Sequence, residues 1–195
     1  MVKRVIIKTS MKDISKEALI KAQEGDLESF GNIYKETSGF VYNVAFRIVN
    51  NKQDAEEVVQ DVFLNIYRNL KNFHFQSSFK TWAYRIAVNC AINHVNKMTR
   101  EKNRIKEYGN NLIQAGEISQ APEMKKSNEG REEIISSLLG LLDVDQRACI
   151  VLRNIEGLSY REISDTLKIN INTVRTRLKR AREKLLNFGK GGIKK

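Results

Sequence analysis

The sequence predicts an all-α protein made of two small helical domains joined by a flexible linker. Apolar residues recur at spacings of three and four along most of the chain, and no stretch shows the sustained alternation that is typical of a strand. The chain has 195 residues with a single proline, and 41% of them are hydrophobic. This composition argues against collagen-like, proline-rich and wholly disordered chains.

The helical pattern stops once, in the middle of the chain. From residue 108 to residue 131 the apolar spacing is lost, and glycine, asparagine and serine gather around Pro122. We therefore predict a first domain over residues 13–97, a flexible linker over residues 98–130 and a second domain over residues 131–188.

The first domain is expected to hold a short helix near residues 14–23 and three long amphipathic helices. The predicted core face of the first long helix is formed by Leu27, Phe30, Tyr34, Val41, Val44, Ala45 and Ile48. That of the second is formed by Ala55, Val58, Val59, Val62, Phe63, Ile66, Tyr67 and Leu70. That of the third is formed by Phe79, Trp82, Ala83, Ile86, Ala87, Cys90 and Ala91.

The second domain is expected to be a four-helix module that contains a helix-turn-helix. Gly157 suits the end of a helix, and Ser159 and Glu162 have the spacing of a capping box that opens the next one. A short helix, a tight turn and a second helix then follow over about residues 160–179. The second of these helices buries Val174 and Leu178 and carries cations and hydroxyls on its other face, as a helix in a DNA major groove would.

The charge points to a polyanionic partner. The net charge is +11, which favours nucleic acid first and an anionic membrane surface second. Residues 80–106 hold seven cations and one anion, residues 107–146 three cations and eight anions, and residues 147–195 thirteen cations and four anions. Two basic segments separated by an acidic one suit two binding modules on one polyanion.

No apolar run is long enough to span a membrane and the first ten residues do not form a secretory signal, so we expect a cytoplasmic protein without membrane insertion. Cys90 and Cys149 are then expected to be free, buried thiols. His74 and His94 have no cysteine or carboxylate at ligand spacing, so no metal site, cofactor or catalytic site is predicted.

A second polar stripe lies on the helix that begins near Lys80. Arg85, Asn89, Asn93 and Asn96 are spaced by four, four and three residues, opposite the predicted core face. Amide side chains both donate and accept hydrogen bonds, which suits the edges of unpaired bases. Aromatic residues precede this stripe, and Phe73 is expected in a loop where a base could stack on it. Trp82 fits the core and the nucleic-acid interpretation about equally.

Four motifs in order resemble one bacterial family. Residues 54–63 (DAEEVVQDVF), 78–89 (SFKTWAYRIAVN), 157–163 (GLSYREI) and 172–182 (NTVRTRLKRAR) together closely resemble sigma factors of the extracytoplasmic-function (ECF) group of the sigma-70 family. The resemblance covers both domains. It implies a protein that binds core RNA polymerase and directs it to promoters, with the first domain as sigma region 2 and the second as sigma region 4. It also makes an anti-sigma factor an expected partner.

The resemblance implies roles for individual residues. The polymerase-binding helix would present Glu57, Gln60, Asp61, Phe63, Leu64, Tyr67 and Arg68. Recognition and melting of the −10 element would involve Phe73, Arg85, Asn89 and Asn93. The −35 element would be read by Arg153, Thr173, Arg175, Thr176, Lys179 and Arg180. Without the resemblance, the mostly acidic face around Asp61 would be interpreted as a solvated surface.

The sequence departs from the family pattern at two points. The family's loop often has a glycine after a phenylalanine and a cation, whereas Phe73 and His74 are followed here by Phe75. The family usually has a proline after the leucine that opens the −35 module, whereas Asp143 follows Leu142 here and can itself cap a helix.

Three other functions are compatible with parts of the sequence. A helix-turn-helix regulator with a helical sensor or dimerisation domain would not need the amide and aromatic set of the first domain. An enzyme acting on nucleic acid would need paired carboxylates or metal ligands near the basic surfaces. A helical adaptor that binds only proteins would leave the net charge of +11 unexplained.

Overall fold

The computed structural model describes residues 14–109 and 128–191, and these residues form helices and short connections without a strand. The N-terminal unit consists of α1 (Lys16–Gln23), α2 (Leu27–Val49), α3 (Lys52–Asn69), a 3-10 turn (Leu70–Asn72) and α4 (Phe79–Gly109). The C-terminal unit consists of α5 (Asn128–Gly140), α6 (Val144–Ile150) with a π-helical turn (Val151–Ile155), α7 (Tyr160–Leu167) and α8 (Ile171–Gly191). The predicted all-α class is confirmed.

Side-chain caps fix where most of these helices begin. Ser15, Asp26 and Asn51 accept hydrogen bonds from backbone amides in the first turns of α1, α2 and α3. Asp143 accepts from the amide of Gln146 at the start of α6, so the residue that replaces the family's proline does cap a helix.

The capping box predicted in the second domain is also present. The amide of Glu162 donates to the Ser159 hydroxyl, and the amide of Ser159 donates to the Glu162 carboxylate, which starts α7.

The core of the N-terminal unit lies between α2, α3 and α4. Val44, Val58 and Ala87, one from each helix, have no exposed surface. The predicted core face of α2 is wrong at its first turns, because Leu27 and Tyr34 are exposed and Phe30 is half-buried. Phe30 and Tyr34 still contact aromatic rings of α3, but at the edge of the packed region, where neither is fully covered.

The first part of the predicted linker is helical. Helix α4 continues to Gly109, so residues 98–109 extend that helix and are not flexible coil. Residues 110–127, the greater part of the predicted linker, lie outside the described residues, and α5 begins at Asn128.

The two units touch one another. Helices α2 and α4 pack against α6, α4 also packs against α7, and α2 meets α5. Buried residues of both units, such as Ile48 and Ile150, belong to one continuous apolar cluster. The C-terminal unit closes its own core with Ile163 of α7 and Val174 and Leu178 of α8, all fully buried.

Both cysteines are free, as predicted, but only Cys149 is fully buried. Burial raises the pKa of the Cys149 thiol to about 11 and also raises the pKa of the half-buried Cys90 thiol. None of the described helices is long and apolar enough to cross a bilayer.

Candidate functional site

An apolar and aromatic surface lies on the first turns of α2 and the adjoining side of α3. We call it the α2–α3 surface and define it by Leu27, Phe30, Tyr34, Leu64 and Tyr67. Leu27, Leu64 and Tyr67 are 68%, 52% and 49% exposed. The ring centroids of Phe30 and Tyr67 lie 5.1 Å apart in an edge-to-face contact, which joins the two helices across this surface. Exposed aromatic and aliphatic side chains in one patch are typical of a protein-binding site.

The predicted polymerase-binding residues surround this surface. Glu57, Gln60, Asp61 and Arg68 are exposed on α3, so the patch has a polar and largely acidic rim. Phe63 differs from them, because it is buried and its ring lies 4.5 Å from that of Tyr34. Its ring packs against the buried side of the exposed Tyr34, and little of its own surface is available to a partner.

The loop before α4 is held against the body of the first unit. The Gln23 side chain of α1 donates to the carbonyl oxygens of Leu70 and Phe73, at 2.9 and 2.8 Å. Phe73 is 5% exposed and contacts the rings of Phe75, Phe79 and Trp82, with 5.0 Å between the centroids of Phe73 and Trp82. Phe73 lies in the loop where the sequence places it, but its ring is part of the core and offers no open face to a base.

The unusual Phe75 has an unusual backbone. Its φ is +57°, in the left-handed region that glycine enters at no steric cost. This is the position at which the family's loop often has a glycine. Two contacts stabilise the Phe75 side chain in this conformation. Its ring centroid lies 4.9 Å from that of Phe73 and 5.2 Å from the Lys16 ammonium group.

A groove lined by amides runs between the C-terminal end of α3 and the first half of α4. Its volume is about 400 Å³. We call it the amide groove, and it is lined by Asn65, Asn69, Asn72, Trp82, Ile86, Asn89, Cys90 and Asn93. No lining side chain is charged, so the groove suits the neutral edges and faces of a nucleobase better than a phosphate.

The predicted −10 residues divide between two places. Asn89 and Asn93 line the amide groove together with Trp82, which the sequence left undecided. Arg85 lies elsewhere on α4, in a cavity of about 180 Å³ between α4 and α7. Phe73 reaches the groove only through its contact with Trp82.

Three further amides of the groove were not predicted from the sequence. Asn65, Asn69 and Asn72 come from the end of α3 and the turn after it, and Asn65 donates to the Cys90 sulphur at 3.4 Å. On α3 the step from Asn65 to Asn69 is four residues, which places them on one face of the helix. That spacing is the signal in the sequence that could have found them.

The predicted helix-turn-helix over about residues 160–179 consists of α7 and the first turns of α8. Helix α7 ends at Leu167, the following Lys168 has a left-handed φ of 53°, and α8 begins at Ile171. The side chain of Asn170 accepts a hydrogen bond from the amide of Asn172 at 2.8 Å, in the first turn of α8. This contact stabilises the start of α8.

The exposed side of α8 carries the predicted −35 residues. We call it the basic face of α8, and it consists of Thr173, Arg175, Thr176, Lys179 and Arg180, all exposed. Arg175 donates to the Asn172 side chain at 3.0 Å, which directs the guanidinium group toward the start of the helix. Because the start of a recognition helix is the part that meets base edges, this face suits a major groove.

Arg153 is placed differently from the rest of that set. Its guanidinium group donates to the Leu158 carbonyl oxygen at 2.8 Å and lies 5.3 Å from the Tyr160 ring centroid. It therefore holds the connection between the π-helical turn and α7. Arg177, another cation of α8, is bonded to Asp145 at 2.7 Å and is turned away from the basic face.

Comparison with known proteins places both units in one family. The model of Sigma-70 region 2 matches residues 33–101, and that of Sigma-70, region 4 matches residues 132–185. The RNA polymerase sigma-H factor of Pseudomonas aeruginosa is 32% identical over 172 residues, which cover 84% of this chain and 87% of that protein. The ECF RNA polymerase sigma-E factor of Haemophilus influenzae is 31% identical, with 89% of this chain and 95% of that protein covered.

Solved structures share the fold. The complex of CnrH with the cytosolic domain of CnrY matches with a TM-score of 0.58 at 24% identity, covering 90% of this chain and 96% of that one. The sigma factor RpoE of Bartonella quintana, in complex with the anti-sigma factor NepR, matches with a TM-score of 0.59 at 20% identity, covering 87% of this chain and 100% of that one.

Proposed function

Because this chain belongs to the ECF group of the sigma-70 family of RNA polymerase sigma factors, we propose that its three surfaces divide the steps of promoter-specific initiation among them. As a sigma factor it binds core RNA polymerase and recognises promoter DNA. Sigma factors are initiation factors rather than enzymes, and we assign no catalytic residue to this chain. We place its activity in the cytoplasm, where polymerase and promoter DNA are found.

The α2–α3 surface is proposed as the main contact with core polymerase. Leu64 and Tyr67 would supply the apolar contact area, and Glu57 and Asp61 would complement a basic surface on the enzyme. Buried Phe63 would act by supporting Tyr34. This assignment includes Leu27 and Tyr34 of α2, whose exposure has no explanation in the packing of the unit itself.

The amide groove is proposed as the place where an unpaired base of the −10 element is held. Asn89 and Asn93 can hydrogen-bond the edge of a base, and Trp82 offers an aromatic surface at the same groove. Unstacking a base costs a few kcal/mol, so the groove must return a similar amount to keep the strands apart. Phe73, buried behind Trp82, would fix the position of that ring.

The basic face of α8 is proposed to read the −35 element in the major groove. Arg175 can contact guanine with two hydrogen bonds, while Thr173, Thr176, Lys179 and Arg180 can meet phosphates and base edges. Arg153 would contribute by holding the connection before α7 in place.

An anti-sigma factor is proposed as a further partner. The structure of Bartonella quintana RpoE with NepR is a complex of this kind on the same fold. Such a partner would compete with polymerase if it covered the α2–α3 surface.

The observation that carries the proposal is that one chain holds both the uncharged amide groove and the basic face of α8. The uncharged groove suits the edges and face of an unpaired −10 base, and the basic face suits the phosphates and major-groove edges of the −35 duplex. Run-off transcription with core polymerase on a promoter library tests it. We expect defined transcripts only when the chain is added, from promoters that share a −10 and a −35 element. Transcripts that do not depend on the chain, or that share no such elements, would contradict the proposal.

A further inference from the structure

Helix α1 holds the turn that follows α3. The side-chain amide of Gln23, the last residue of α1, donates to the carbonyl oxygen of Leu70 at 2.9 Å and to that of Phe73 at 2.8 Å. Both acceptors are backbone carbonyl groups, so the NH₂ group of the amide must face them, and its two N–H groups serve the two carbonyls. Leu70 opens the 3-10 turn and Phe73 directly follows it, so Gln23 ties the two ends of the turn together.

The same helix contacts the loop before α4 a second time. Lys16, the first residue of α1, places its ammonium group 5.2 Å from the centroid of the Phe75 ring, at the loop residue with a φ of +57°. Helix α1 is itself anchored, because Leu19 and Ala22 are buried and α1 packs along α2. One well-packed helix therefore fixes both the turn and the middle of the loop.

The turn that Gln23 holds carries part of the amide groove. Asn72 is the last residue of the 3-10 turn, and among the described residues that line the groove it is the one that lies on neither α3 nor α4. The positions of the other lining residues are fixed by these two long helices, which pack against each other. The position of Asn72 depends instead on the turn, and thus on the hydrogen bonds from Gln23.

Gln23 also acts on the aromatic side of the groove. One of the carbonyl groups that it binds belongs to Phe73, whose ring centroid lies 5.0 Å from that of the groove-lining Trp82. Gln23 is not one of the residues that line the groove. Its effect on a bound base must therefore pass through Asn72 and through the contact between Phe73 and Trp82.

We propose that Gln23 is a positioning residue for recognition of the unpaired −10 base, and that α1 acts as a clamp that sets the shape of the amide groove. This rests on the proposed function of that groove. Because the turn is already ordered, a base that leaves the duplex meets Asn72 and Trp82 in place, and no ordering of the turn opposes its binding. A groove of fixed shape also discriminates between bases, whereas a loose one adapts to each of them.

The test replaces Gln23 in the full chain. Gln23→Met keeps an unbranched side chain of similar length and removes both donors. Gln23→Asn keeps the amide but shortens its reach by one methylene, and serves if the methionine variant does not fold. Gln53→Met is the matched control, because Gln53 is an exposed glutamine of α3 that does not line the groove.

Two measurements separate the clamp from its role in recognition. Trp82 is the single tryptophan of the chain, so quenching of its fluorescence by acrylamide reports on the groove in the free protein. Stopped-flow fluorescence with core polymerase gives the rate of open-complex formation on promoters that carry each of the four bases in turn at every −10 position. The ratio of these rates measures base preference.

We expect acrylamide to quench Trp82 more strongly in Gln23→Met than in the unchanged chain, because the backbone of Phe73 is no longer tied to α1. Open complexes on the preferred promoter should form roughly three- to tenfold more slowly, as expected for the loss of two hydrogen bonds between neutral groups. The rates on the other promoters should fall less, so base preference should decrease. A variant that is only less stable would slow every promoter by the same factor. Gln53→Met should behave as the unchanged chain in both measurements.

Either of two results would overturn the inference. If Trp82 is quenched equally in the Gln23 variants and in Gln53→Met, α1 does not hold the turn. If Gln23→Met leaves the rates unchanged, or slows all promoters by one factor, Gln23 has a structural role only. Should the unchanged chain support no promoter-dependent transcription, the proposed function fails and the role in base recognition fails with it, while the quenching of Trp82 still decides whether Gln23 holds the turn.

Discussion

Replacement of Arg147 by methionine should lower the free energy of unfolding more than the same replacement of Arg153, another half-buried arginine of the C-terminal unit. Arg147→Met keeps an unbranched apolar side chain but removes the guanidinium group and its three hydrogen bonds to Ile48, Leu139 and Leu142. A hydrogen bond to a charged group contributes ~1.5–3 kcal/mol, and bonds made by one group are not additive. Because Arg147 is half-buried, water can replace part of the loss, and we expect a decrease of about 2–4 kcal/mol in the free energy of unfolding.

The measurement is urea unfolding followed by circular dichroism, with Arg153→Met as the matched control. Arg153 is also half-buried but makes only one such hydrogen bond, so with the same allowance for water its replacement should cost about 1–1.5 kcal/mol. Thermal unfolding should give the same order, with a difference of several degrees between the two variants. A loss below about 1 kcal/mol for Arg147→Met, or one no larger than that of Arg153→Met, would refute the role of Arg147 as a shared helix cap.

Three further predictions concern single surfaces. Asp61→Lys should weaken binding to core polymerase roughly tenfold by placing a cation on the acidic rim, with an unchanged melting temperature since Asp61 is exposed; normal assembly with polymerase would exclude Asp61 from the interface. Arg175→Ala should weaken −35 recognition by ~1–3 kcal/mol in competition binding of the holoenzyme, and an equal loss on every −35 sequence would make it a phosphate contact instead. A thiol reagent at pH 8 should modify Cys90 well before Cys149, because Cys149 is buried and its pKa of about 11 leaves almost no reactive thiolate at that pH. The two cysteines should react at equal rates only in denaturant, and equal rates in the native chain would contradict the packing of α6.

The sequence predicted the helices where their ends carry a chemical signal. Ser159 and Glu162 specify the start of α7 by themselves, because a capping box needs only local residues. Asp143 could be expected to cap a helix for the same reason. The end of α4 was missed because its apolar stripe stops near residue 97, while lysine, arginine and glutamate beyond that point are good helix formers.

The surfaces were harder to predict because they depend on what covers each helix. Leu27 and Tyr34 follow the same spacing as the buried residues of α2, and periodicity does not tell which part of a stripe has a partner. Phe73 lies in the loop as expected, but neighbouring aromatic rings bury its side chain, and its place in the loop does not reveal this. Asn65 and Asn69 reach the amide groove only because α3 lies beside α4, which is tertiary information.

The contact between the units could not be found from the sequence. Arg47, Arg147 and Glu156 are charged residues of the kind that usually lie on a solvated surface. Only the fold brings the end of α2 next to α6 and supplies the carbonyl oxygens that the Arg147 guanidinium group binds.

Permanganate footprinting of thymines in open complexes tests most directly whether the amide groove holds an unpaired base. The comparison is between the unchanged chain, Asn89→Ala and Asn96→Ala, where Asn96 is an exposed amide of α4 that does not line the groove. We expect Asn89→Ala to lower reactivity in the −10 region roughly tenfold, which corresponds to ~1.4 kcal/mol, with polymerase binding and −35 binding intact. A template already unpaired there should recover part of the loss, and Asn96→Ala should behave as the unchanged chain. An unchanged footprint and unchanged base preference in Asn89→Ala would contradict the account and leave Asn89 as an ordinary solvated amide.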